Sequence, residues 1–186
     1  MTEVFAPAHL VIGLPPTVGA VASGWSGVAW GLLTAALCGG VPALVIIAGV
    51  RSGTFGDRHI TDRAQRARLI AVTIPLVLLA LCLLAVLGAP RLAVVTVAAM
   101  LVALAVIGPI TVALKWKISF HAAVSAGSVV VLAHVLPPAA VTAAGALLVA
   151  LIGWARVSLG DHTVSQVLAG TAVGTATTLI TLTLAL

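Results

Sequence analysis

Six apolar runs, each long enough to cross a lipid bilayer, follow one another at roughly 27–50, 69–88, 92–114, 119–136, 139–157 and 162–184. A helix needs about 20 apolar residues to span the hydrocarbon core, where every backbone polar group must be satisfied internally. The sequence therefore predicts an all-α polytopic membrane bundle of six transmembrane helices. Composition agrees: 62% of residues are hydrophobic and 7% are charged, against about 45–50% apolar in soluble domains. Residues 1–23 are broken by Pro7, Pro15 and Pro16, and proline removes donors and kinks helices. That stretch reads as an N-terminal arm, lying on the surface or partly re-entrant, ahead of a transmembrane domain over 24–186. It carries no basic segment before its first apolar residues, so no cleaved signal peptide is expected. Cys38 and Cys82 fall inside apolar runs and read as small hydrophobes. No spacing of Cys or His suits a metal, and no cofactor is expected.

The polar stretches between the runs are few. One, from Arg51 to Arg68, holds Arg51, Asp57, Arg58, His59, Asp62, Arg63, Arg66 and Arg68. A second, Lys115-Trp116-Lys117-Ile118-Ser119-Phe120-His121, opens the fourth run. A third runs from Ala155 to Gln166 and contains Arg156, Asp161 and His162. Two crossings separate the first from the second, and two separate the second from the third. An even number of crossings returns the chain to the same side, so all three stretches are expected on one face of the membrane. That face carries every Lys and Arg except Arg91. In short loops such charge sets orientation or meets phosphate. Nothing resembles an aromatic-interleaved basic patch, so nucleic acid is not an expected partner.

Cations and histidines without metal ligands suit a phosphate group. Arginine offers a rigid fork of donors that matches phosphate oxygens, and lysine adds a point charge. The second and third stretches also open helices, whose N-termini present unpaired N–H groups to anions. Histidine can serve as nucleophile and as general acid. His162 and Gln166 are four residues apart and share a helix face. The Gln166 carboxamide oxygen can then accept the His162 ring N–H and fix its tautomer. Ser119 is also a natural helix cap, and His134 lies at the far end of its helix from His121.

These stretches resemble the motifs of the type 2 phosphatidic acid phosphatase (PAP2) superfamily, which shares its core with vanadium haloperoxidases. The family's third motif is Ser-Arg, five residues, His, three residues, Asp. Arg156 and His162 keep that spacing, while Ala155 stands for the Ser and Gln166 for the Asp. The form His162-Thr163-Val164-Ser165-Gln166-Val167 is similar to the dolichyl and other polyprenyl diphosphate phosphatases of the superfamily. The second motif, Pro-Ser-Gly-His, reads Ile118-Ser119-Phe120-His121 here. The first, Lys, six residues, Arg-Pro, fits loosely in two placements: Arg51 to Arg58 with His59, or His59 to Arg66 with Ala67. The second placement is preferred because it lies directly before a span.

The resemblance implies an integral membrane enzyme that hydrolyses a lipid phosphate, such as an isoprenoid or polyprenyl (di)phosphate, through a phosphohistidine. His162 would attack phosphorus and His121 would protonate the leaving oxygen, with Gln166 orienting His162. Arg66 (or Arg58 with His59), Lys117, Ser119, Arg156 and the Phe120 N–H would hold the phosphate oxygens. Two alternatives use the same pocket: a non-catalytic protein that binds or transports an anionic lipid, and a phosphotransferase with an acceptor other than water. The positive-inside rule points the charged face to the cytoplasm, and the membrane is taken to be the cell membrane.

Overall fold

The computed structural model describes residues 7–54 and 63–186, without the side chains of residues 7, 8, 63, 64, 66 and 67. Among the described residues every regular element is helical: α1 (Pro7–Ala35), a π-helical turn (Ala36–Gly40), α2 (Val41–Arg51), α3 (Arg63–Val86), α4 (Arg91–Ala113), α5 (Phe120–Val135), α6 (Pro138–Ser158) and α7 (Val164–Ala185). Five helical stretches are long and apolar enough to cross a membrane. This is an integral membrane protein.

The first of those stretches is a hairpin. Its helix breaks at Ser23 (φ −146°) and Gly24 (φ 59°, ψ −141°), and residues 25–40 run back along the preceding arm. Gly24 permits the turn because it has no Cβ to clash at positive φ. The two arms touch backbone to backbone, Gly19 against Gly27 and Pro15 and Pro16 against Gly31. The proline-broken opening is therefore helical. It also enters the bundle: Val18 packs with Val95, Val131 and Leu182, and Val11 with Val77, Leu84 and Val97. Burial of this kind offsets the donors the two prolines lack, which local sequence alone does not reveal. Trp30 also packs against that second cluster. Further on, Pro42 has no N–H for the Cys38 carbonyl, and the chain widens to a π turn in which Val41 N–H donates to Ala36 O.

One of the six expected spans is short. Helix α5 has only 16 residues, roughly 24 Å, short of a hydrocarbon core of about 30 Å. It can be short because it lies at the centre of the bundle, with Ala122, Ala123, Ser125, Ala126, Gly127, Ser128 and Val131 buried. Its closest partner is α7. Gly170 lies against the Ser119 carbonyl, Gly174 against the Ala123 carbonyl, and Gly127 faces Thr178. Small residues let the two backbones approach closely, as expected for packing in lipid. The consequence for the site is that Ile118 and Ser119, at the head of α5, are buried inside the bundle rather than spread on its surface.

Candidate active site

The end of α6 and the start of α7 form a tight double cap, and the local sequence explains it. After Ser158 the chain reaches Gly160 at φ 72°. Gly160 N–H donates to Val157 O (2.9 Å) and Asp161 N–H donates to Arg156 O (3.1 Å). This is the Schellman pattern, which needs a left-handed residue and so favours glycine. His162 N–H also reaches Arg156 O, at 3.3 Å. The turn thus folds Asp161 and His162 back beside Arg156. Three residues on, Thr163 and Gln166 make a capping box at the start of α7: Gln166 N–H donates to Thr163 Oγ1 and Thr163 N–H to Gln166 Oε1.

Gln166 Oε1 has a second role. It lies 3.2 Å from His162 Nδ1, and Lys117 O lies 3.2 Å from the same nitrogen. Carbonyl oxygens only accept, so Nδ1 carries a ring hydrogen. His162 is 5% exposed and lines a cavity with His121 and Arg156.

Arg156 is buried, at 7% exposure. One terminal nitrogen pairs with Asp161 Oδ2 at 2.9 Å, while its Nε has no hydrogen-bond partner among the described residues. Lys117 Nζ donates to the Asp161 carbonyl at 3.1 Å, and Ser119 N–H donates to Gln166 O at 3.2 Å. The second and third polar stretches are therefore knitted together, as crossing parity implied. Just before them, Lys115 adopts φ 53°, an uncommon conformation for a residue with a side chain.

The other expected residues fall as follows. His121 stands in the first turn of α5, half-buried, and Phe120 beside it also lines the cavity. Ser119 is fully buried and its Oγ accepts the Ala122 N–H, capping α5. That is a structural use of Ser119. Arg58 and His59 lie outside the described residues, as does the side chain of Arg66. Asp161 is the residue that sequence reasoning passed over. Its signal was the glycine just beyond the last apolar residues of α6, which turns the next residue back onto the final helical turn.

Below these residues the cavity runs into the bundle. It encloses about 410 Å³ and is walled by apolar side chains of α1, α3, α4 and α5, among them Leu14, Val77, Ala103, Ile107, Val124 and Val131. Among the described residues no group of three or more His, Cys, Asp or Glu could hold a metal ion.

Residues 112–185 match the family model of the PAP2 superfamily. The match makes this part of the chain similar to that superfamily, whose members are generally phosphatases. It takes in α5, α6, α7 and both knitted loops, and leaves the N-terminal hairpin and α3 outside. No curated protein and no solved structure matches the chain.

Proposed function

We propose that the protein hydrolyses an isoprenoid or polyprenyl (di)phosphate, or a related lipid phosphate, by way of a phosphohistidine. The observation that carries the reading is the fixed orientation of the His162 ring: its Nδ1–H is held by two carbonyl oxygens, and the ring lines one cavity with Arg156 and His121. In the first step Nε2 attacks phosphorus, a P–N bond forms and the bond from phosphorus to the leaving oxygen breaks. His121 gives its proton to that oxygen. In the second step a water oxygen attacks phosphorus, His121 takes a proton from the water, and the P–N bond breaks to release phosphate and restore His162. Arg156 and Lys117, with Arg66 or Arg58 and His59 from the first polar stretch, stabilise the charge that builds on the phosphoryl oxygens. The Phe120 N–H, at the head of α5, contributes the helix-terminal field.

The apolar cavity supports a lipid chain on the substrate, with the phosphate at the His162 end. Helix α5, though short, completes a sixth crossing at the centre of the bundle. The resulting parity puts the cationic face on the cytoplasmic side of the cell membrane by the positive-inside rule.

Purified full-length protein in detergent should release phosphate from farnesyl or undecaprenyl diphosphate, and His162→Ala should abolish it. Full turnover in His162→Ala rules out the phosphohistidine. Saturable lipid binding without any release would instead identify a carrier, and phosphate found on an added alcohol would identify a phosphotransferase.

A further inference from the structure

We propose that Asp161 is a positioning residue that serves as a built-in counter-anion for Arg156, competing with phosphate for the guanidinium and so promoting release of the product. The inference rests on the phosphate-hydrolysing reading of this site. Three observations lead to it. Asp161 Oδ2 lies 2.9 Å from a terminal nitrogen of Arg156, in a place where the arginine is almost fully withdrawn from solvent. The Asp161 main chain is pinned on both sides, its N–H to Arg156 O and its carbonyl to Lys117 Nζ. Arg156 Nε is buried and unmatched among the described residues, so the guanidinium has a donor in reserve.

A buried arginine without an anion would be strongly disfavoured. Asp161 meets that need when the site is empty, and its main-chain ties keep Arg156 and Lys117 at fixed positions around His162. Once phosphate enters, the same carboxylate is a like charge beside a multiply charged anion, and like charges at close range repel. Arg156 then meets the phosphate from its free Nε edge while Asp161 keeps the other edge. The cation is held ready, and the product anion is not held tightly. The partly exposed Asp161 side chain, 26% accessible, allows it to turn toward water if a second donor is needed by the substrate.

Asp161→Asn and Asp161→Ser remove the charge, and Asn keeps an acceptor for Arg156. Both are to be compared with the native protein in detergent, with inorganic phosphate as the probe. The native protein should be protected against thermal unfolding only at high phosphate concentration. Each neutral variant should show the same protection at about tenfold lower concentration. In turnover with a lipid phosphate, kcat and KM should fall together and product inhibition should tighten by the same factor. A residue that only braces the turn would instead raise KM and leave phosphate affinity unchanged. Unchanged phosphate protection in the folded variants overturns the proposal. Loss of folding in both variants overturns it as well, because Asp161 would then be a requirement of the fold and not a competitor of phosphate. The protection measurement needs no turnover. Tighter phosphate binding in the variants with no hydrolysis by any form would retain the counter-anion and reject the phosphatase reading.

Discussion

His162 Nδ1 and the Gln166 side-chain oxygen lie 3.2 Å apart across the first turn of α7, and the same oxygen accepts the N–H of Thr163. One carboxamide therefore caps a helix and orients a ring. The Thr163 N–H also decides which end of the amide faces the histidine, since only oxygen accepts from it. This explains how glutamine can stand where the family's motif has a carboxylate. It reaches back to the cap in the manner of a capping box and still fixes the imidazole. What it forgoes is the charge that would stabilise an imidazolium.

Gln166→Leu should lose both functions. Phosphate release should fall on the order of a hundredfold, the low end of what a well-placed acid or base contributes. The cap itself is worth about 1 kcal/mol, so a modest drop in thermal midpoint should accompany the lost rate. Gln166→Glu keeps the reach and adds a charge, and it should retain the cap. Steady-state rates and thermal unfolding of the two variants in detergent separate the roles.

Gly160 is the hinge of the turn that returns Asp161 and His162 to Arg156. A side chain at its φ of 72° costs about 1–2 kcal/mol. Gly160→Val should therefore lower the thermal midpoint and reduce activity further than the stability loss explains, because relaxing the strain moves His162. Gly160→Asn should be milder, since asparagine tolerates the left-handed region. Equal activity in the Val and Asn variants would show that the turn does not set the site.

The Gly170 contact links packing to the site. A Cβ there would press on the Ser119 carbonyl, and Ser119 heads α5 just before Phe120 and His121. Gly170→Ala should cost about 1–3 kcal/mol as overpacking and should weaken activity by displacing the head of α5. Gly13→Ala, where a Cβ meets nothing within 4 Å, is the control and should be silent in both assays.

Much of this site is readable from spacing and parity. Arg156, His162 and Gln166 stand out because charged and polar groups are rare beside apolar helices, and counting crossings brings Lys117 and His162 to one face. The structure then ties them together through Lys117 O and His162 Nδ1. What was not readable depends on contacts between distant segments. Pro15 and Pro16 argue against a buried helix until Gly31 is seen to receive them. The short α5 looks like one more full-length span until its packing against α1, α6 and α7 shows how a 16-residue helix is held inside the bundle. Asp161 shows no partner in the sequence, and its pairing with Arg156 exists because the turn at Gly160 folds it back onto the end of α6.

The cavity makes a prediction about substrate length. Ala103 is half-buried and lines it, so Ala103→Phe narrows the space below the site without touching His162. A chain that must enter the bundle loses burial at about 0.8 kcal/mol for each excluded methylene. With three methylenes excluded, KM for a long isoprenoid phosphate should rise by roughly fiftyfold. A short soluble phosphate ester, whose chain never reaches Ala103, should be hydrolysed at the native rate. An equal KM change for both esters would mean that the long chain lies elsewhere, against the outside of the bundle.

Orientation is open to direct measurement from residues already exposed at the two ends. Thr54 follows Arg51 on the cationic side, and Leu87 lies in the turn between α3 and α4 on the other. Cys82 is exposed, whereas Cys38 is buried, so a Cys82→Ser background leaves only a shielded thiol. In intact cells a membrane-impermeant maleimide should label Leu87→Cys and spare Thr54→Cys, and permeabilisation should expose both. The four arginines and lysines outside the proposed site on that face, Arg51, Arg63, Arg68 and Lys115, against Arg91 on the other, are what drive this expectation. The reverse labelling would turn the cationic face outward. It would then follow that this charge is kept for phosphate rather than for topology, since the positive-inside bias would have been overridden by it.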